Sequence, residues 1–146
     1  MAGEKRAIKV LVDDVRKVFR GRDNEVVALN GINLAIHENE FVCVVGPSGC
    51  GKSTLLNIIA GLHAATSGRV MMDGKEVKGT GVERGVVFQQ YALFPWLTVQ
   101  KNIEFGLALK KISDKERIQT AQKYLHMVGL DDFANSYPKE LSGGMK

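Results

Sequence analysis

The chain has 146 residues, is 45% hydrophobic and 25% charged, and carries a formal net charge of +4. That is the size and make-up of one ordinary globular domain with a buried core, and it excludes a disordered or collagen-like chain. No apolar run approaches the ~20 residues of a membrane helix. The start, MAGEKRAIKV, lacks the apolar stretch of a secretory leader, and the interspersed charges read as solvated faces, not as a nucleic-acid surface. The chain therefore reads as cytosolic.

Residues 8–12 (IKVLV) predict a strand. Residues 25–36 (EVVALNGINLAI) predict one or two more, with Asn30-Gly31 as a turn signal. FVCVV, residues 41–45, is short, almost wholly apolar and rich in Val, which predicts a strand buried on both faces. Cys43 within it reads as a small core residue. GPSGCGKST follows, and the LLNIIAGL after it predicts a helix. Residues 69–72 and 75–77, around Asp73-Gly74, predict a hairpin, and residues 84–88 (RGVVF) another buried strand.

Beyond this point the pattern turns helical. Residues 101–110 (KNIEFGLALK) predict a helix, and Ser113 to Glu116 (SDKE) has the form of a capping box. Ile118, Ala121, Leu125 and Val128 then recur at helical spacing, and Gly129 supplies a stop. Two cysteines, Cys43 and Cys50, are too few for a disulfide framework or a zinc cluster. His37, His63 and His126 are scattered, and none is read as a metal ligand.

Gly46-Pro47-Ser48-Gly49-Cys50-Gly51-Lys52-Ser53-Thr54 fits the phosphate-loop pattern G-x-x-x-x-G-K-[ST], between a predicted buried strand and a predicted helix. Phosphates need donors that approach closely without side chains in the way. Gly46, Gly49 and Gly51 let the backbone wrap the anion, and the amides from Gly49 to Thr54 point into the loop beside the positive end of the helix. Lys52 reaches the β- and γ-phosphates as a point charge. The Ser53 hydroxyl suits the shell of a magnesium ion bridging those phosphates.

A phosphate loop alone leaves kinases, GTPases, helicases and transport ATPases open. GPSGCGKST, then VVFQQYALFPWLTV, then YPKELSGGMK, in this order, resembles the nucleotide-binding subunit of ATP-binding-cassette (ABC) transporters, from about residue 8 to the last residue. The resemblance implies an α/β fold: a P-loop NTPase core of the ABC ATPase type, an antiparallel β subdomain and the start of a helical subdomain. The β-rich part would span about 1–90 and the helical part about 91–146. LSGG, residues 141–144, is that family's signature motif.

The resemblance also implies roles. Phe19 matches the aromatic that stacks on adenine, against the plainer reading of a core aromatic. Gln89 matches the glutamine that contacts magnesium and the attacking water, with Gln90 the weaker candidate. Ser142 and Gly144 match positions that contact the γ-phosphate held by another subunit, so two chains would face each other head to tail around two ATP molecules. Read locally, Ser142 is a helix N-cap. The Tyr91–Trp96 segment (YALFPW) lies where the family receives a short helix of the membrane-spanning permease subunit. The protein would then sit peripherally on the cytoplasmic face of a bacterial-type plasma membrane, with no nucleic-acid partner.

DGKEVKGTGVERGVVFQ, PWLTV and ELSGGMK most resemble ATPases of nitrate, sulfonate and taurine importers, with maltose-type sugar importers similar in QQYALFP. DNA-repair and chromosome-structure ATPases share both motifs, but long coiled coils separate them there, and no heptads lie between Lys52 and Ser142. The family's later strand, ending in an aspartate followed by a catalytic glutamate, has no counterpart in these residues. Neither Asp13-Asp14 nor Asp131-Asp132 stands in for it. The sequence therefore reads as an N-terminal piece that holds nucleotide but turns it over near background, with apolar strand surface left uncovered.

Overall fold

The computed structural model describes residues 6–22, 24–90 and 92–146. Its backbone is a long antiparallel ribbon of β1 (Ile8–Arg20) and β2 (Glu25–His37). The reversal between them is closed by the Gly21 N–H, which donates to the Asn24 carbonyl at 2.8 Å. Asn30-Gly31 is thus not the expected turn; it lies inside one continuous strand. Its conformational freedom serves a bulge instead. Val12 faces Leu34 and Val15 faces Ile32, so β1 there carries one extra residue; Lys17 then faces Leu29, so β2 carries the next. Asp14 (φ 48°) and Gly31 (φ 70°) absorb the two insertions. A bulge flips side-chain parity. Val15, three residues after Val12, therefore returns to the core face that Val10 and Val12 occupy, and all three are buried.

β3 (Ser67–Met72) pairs with β1, and β4 (Lys75–Glu76) with β3, in the expected hairpin. Asp73 and Gly74 both have positive φ, as a tight two-residue hairpin turn demands. The sheet order is β2-β1-β3-β4, all antiparallel. Helix α1 (Lys52–Ile59) lays Leu55 and Ile58 on Val10, Val12, Val15, Leu29 and Val70, which makes one core.

The two predicted buried strands do not form. Residues 41–45 and 84–88 join no ladder, Phe41 is 91% exposed and Val87 100%. Cys43, expected in the core, is exposed too. A strand exists only where a neighbour takes its backbone hydrogen bonds. Among the described residues, the four strands pair only with one another.

The chain divides into two compact units, Met1–Val86 and Val87–Lys146. In the second, α2 (Val99–Leu109) starts at Thr98, whose hydroxyl accepts from the Lys101 N–H at 3.3 Å. Helix α3 (Asp114–Met127) starts at Ser113, whose hydroxyl accepts from the Glu116 N–H at 3.4 Å, the donor the capping-box reading names. Gly129, at φ 70°, follows its end. Ala121 and Leu125 of the expected apolar stripe are buried, whereas Ile118 and Val128 are exposed. The shared core of Val99, Leu125 and Leu141 covers only a narrow strip of the helix.

Glu104 of α2 is 2% exposed. Gln100 Nε2 donates to it at 2.7 Å and Lys101 Nζ at 2.9 Å, and Arg117 Nε lies 4.0 Å away. Burial pushes its carboxyl up. The hydrogen bonds from Lys101 and Gln100, helped by the charges of Lys101 and Arg117, outweigh this and hold it below the ordinary glutamate value. Such a group stabilises the fold above its unfolded pKa of about 4.3, and that contribution is lost as pH falls through the lower folded value. Glu104→Gln is expected to cost about 1–3 kcal/mol near neutral pH, as for a hydrogen bond to a charged group. The difference from the parent should shrink in acid, as urea unfolding at a series of pH values would show.

Candidate nucleotide site

The phosphate-loop residues Gly46 to Thr54 come together at the N-terminus of α1, with Gly51 directly before its first residue. Gly49 (φ 80°) and Gly51 (φ 98°) turn the backbone through the left-handed region. At Gly51 only glycine fits, because a Cβ would meet the Ala28 carbonyl oxygen of β2 at 2.5 Å and Leu29 Cδ2 at 2.8 Å. The end of the loop is therefore seated against the sheet, while residues 46–50 are exposed to an incoming ligand. A Cβ at Gly46 would meet Cys50 Sγ at 2.8 Å, so glycine keeps this narrow span of the loop clear.

Lys52 folds back over the loop. Its Nζ donates to the Gly46 carbonyl at 2.8 Å and the Pro47 carbonyl at 2.7 Å, with Cys50 Sγ at 3.6 Å. An ammonium has three donors, and here two are spent on loop carbonyls, which holds the loop closed on itself. Ser53 is exposed in the first turn of α1, and Thr54 follows it, half-buried.

Phe19 lies near the end of β1 and is 40% exposed, which rules out a core aromatic. Its ring meets His63 edge-on, with centroids 6.1 Å apart, and Lys17 Nζ stands 5.1 Å from its centroid. Gln89 and Gln90 begin the second unit, both exposed. Tyr91 lies outside the described residues.

In the same unit, Phe94 meets Trp96 at 5.5 Å and Phe105 of α2 at 4.4 Å. Trp96 is 70% exposed. The Asn102 side chain ties this segment to α2 by hydrogen bonds. Its Oδ1 accepts from the Phe94 N–H at 2.8 Å, and its Nδ2 donates to the carbonyls of Phe94, Leu97 and Thr98 at 3.2, 3.1 and 3.0 Å. Sequence reasoning passed over Asn102, since an Asn in a helical pattern reads as solvated.

At the other end of the unit, Leu141 is buried, and Gly143–Met145 form one 3-10 turn. Ser142 holds the N-cap position with extended backbone, but its hydroxyl does not cap. A three-residue turn places few donors within reach of that oxygen.

A glycine-built loop on a helix N-terminus, closed by a lysine, defines a phosphate-loop nucleotide-binding protein. The family model described as ABC transporter matches residues 29–146, so the chain belongs to the ABC transporter family. It is 56% identical over 143 residues to MJ0412 of Methanocaldococcus jannaschii, an uncharacterized ABC transporter ATP-binding protein, covering 98% of this chain and 54% of the relative. It is 56% identical over 135 residues to the nitrate import ATP-binding protein NrtD of Synechocystis, covering 92% of this chain and 51% of that one. Among solved structures, the ATP-binding cassette MJ0796, in a dimeric post-hydrolysis state bound to ADP and Pi, superposes with a TM-score of 0.81 at 38% identity. That match covers 92% of this chain and 64% of that one. The chain thus spans about half the length of the curated relatives it matches.

Proposed function

We propose that these residues form the nucleotide-holding half of an importer's ATPase subunit, one that couples ATP binding and hydrolysis to uptake of a small anion. The observation that carries this reading is the exposed loop Gly46–Thr54, seated through Gly51 on β2 and crossed by Lys52. The likeness to a nitrate importer's ATP-binding protein supports the small-anion assignment. No helix among the described residues is long and apolar enough to cross a membrane, which suits a peripheral subunit at the cytoplasmic face.

In this reading the loop amides and Lys52 bind the β- and γ-phosphates of ATP, and Lys52 exchanges its carbonyl partners for phosphate oxygens. Gln89 orients the attacking water through its amide. The Ser53 hydroxyl would join the shell of Mg²⁺, which when bound neutralises phosphate charge. Ser142 and Gly144 serve the ATP of a second, head-to-tail subunit, where small residues let the backbone approach the γ-phosphate. Residues 1–146 alone bind nucleotide without supplying a catalytic base.

Phe19 offers its ring to adenine. Phe19→Ala is expected to weaken ATP binding by about 1–3 kcal/mol, the usual worth of a base stacked on an aromatic. Isothermal titration of the full-length protein reads this directly, and an unchanged affinity would remove Phe19 from the site.

The Tyr91–Trp96 segment receives a short helix of the permease. Its described part supports this, because an exposed Trp96 packed at a tilt against Phe94 makes an apolar knob. Replacing Phe94 and Trp96 together by Ala should leave ATP hydrolysis running and abolish its dependence on transported solute in the reconstituted transporter. Coupling that survived would sink this contact.

A further inference from the structure

The first turn of α2 is tied on both sides. On one side Asn102 holds residues 94–98 with four hydrogen bonds. On the other, the first helical N–H groups, which have no partner inside a helix, are taken by the chain that leads to the signature stretch. Val99 N–H donates to the Ser136 carbonyl at 2.9 Å and Gln100 N–H to the Ala134 carbonyl at 3.0 Å. From there the path is short. The Tyr137 N–H donates to Glu140 Oε2 at 2.6 Å, and Leu141 is buried. Val99 and Leu141 share the core with Leu125, and Met145 packs against it.

We infer that Asn102 is a positioning residue. It fixes the aromatic segment to the first turn of α2, and that turn is fixed to residues 134–145, so a displacement of Trp96 reaches Ser142 and Gly144 as a rigid movement. This path lies within the second unit. The inference deepens the proposed coupling and rests on it only for its use; the mechanical link is a property of the chain itself. Three of the four Asn102 bonds are donated by Nδ2. Asn102→Asp keeps the shape and the acceptor for Phe94 N–H while facing a carboxylate onto three carbonyls. Asn102→Ala removes all four bonds.

The test is backbone hydrogen exchange on the full-length ATP-binding protein, without permease, for Asn102→Ala and Asn102→Asp. Both should speed exchange by about tenfold or more, as the loss of several hydrogen bonds implies. The faster exchange should appear in residues 93–98 and also in 134–145, with the phosphate loop unchanged. Steady-state hydrolysis should show a lower kcat, an ATP KM within about twofold and one nucleotide still bound per chain. Exchange that rises only in 93–98 would overturn the inference, and so would an unchanged kcat. If Asn102→Ala loses protection throughout α3, it has unfolded, and Asn102→Asp decides by the same criteria. Failure of the permease contact would show instead in the reconstituted transporter carrying the Phe94 and Trp96 variants, a readout separate from exchange in the permease-free Asn102 variants.

Discussion

Gly144→Asp is expected to leave the fold intact and to remove ATP turnover from the full-length protein. Among the described residues no heavy atom lies within 4 Å of the place where a Cβ would stand at Gly144, so these residues leave room for the new side chain. Its φ lies outside the left-handed range, and the backbone accepts an L-residue without strain. The expected defect comes from what approaches Gly144 from outside. In the proposed head-to-tail pair that is the terminal phosphate of the partner's ATP. Two like charges about 4 Å apart repel by about 4 kcal/mol at an effective dielectric of 20. That is about a thousandfold in the population of closed pairs. A single chain should still bind ATP normally, since the phosphate loop is untouched. Normal binding and thermal unfolding with hydrolysis reduced by about two orders of magnitude or more is the expected result. Full turnover would show that Gly144 does not face a phosphate.

The second large effect is at Lys52. Lys52→Met removes the charge over the phosphate site and also leaves the Gly46 and Pro47 carbonyls without the ammonium that holds them at 2.8 and 2.7 Å. These carbonyls belong to an exposed loop, and water replaces the lost donor at little cost to folding. The loss falls on the chemistry, where charge moves onto phosphate oxygens. Removing one such stabilising group typically costs roughly 10²–10³-fold in kcat. The expected outcome is hydrolysis reduced by that factor with an unchanged melting temperature. A Lys52→Met protein that hydrolysed ATP within about threefold of the parent would displace Lys52 from the reaction.

Much of this was legible in the sequence, because local rules governed it. Asp73-Gly74 needs two residues with positive φ and has them. Ser113 three residues before Glu116 marks a helix start, and the structure caps there. Gly49 and Gly51 stand where the backbone turns through the left-handed region, a need that is written in residue type. The misreadings have one physical source. FVCVV and GVVF have the composition of buried strands, but burial and pairing are made by neighbours that composition does not supply. Asn30-Gly31 carried a true signal for positive φ, and pairing with β1 turned it into a bulge. Asn102 gave no signal at all, since its partners are backbone carbonyls of a segment whose path was not known until the fold was seen.

In the proposed dimer each ATP lies between the phosphate loop of one chain and the signature stretch of another. Mixing full-length Lys52→Met protein with full-length Gly144→Asp protein tests it most directly. Each variant alone should be nearly inactive. In a mixed pair, one site joins the intact phosphate loop of the Gly144→Asp chain to the intact signature of the Lys52→Met chain. Random pairing at equal amounts makes about half the dimers mixed, each with one intact site and one charge repulsion in place of two, so activity clearly above either variant alone, and at most about a quarter of the parental rate, should return. Activity that stayed at the level of the separate variants would contradict a site shared between chains.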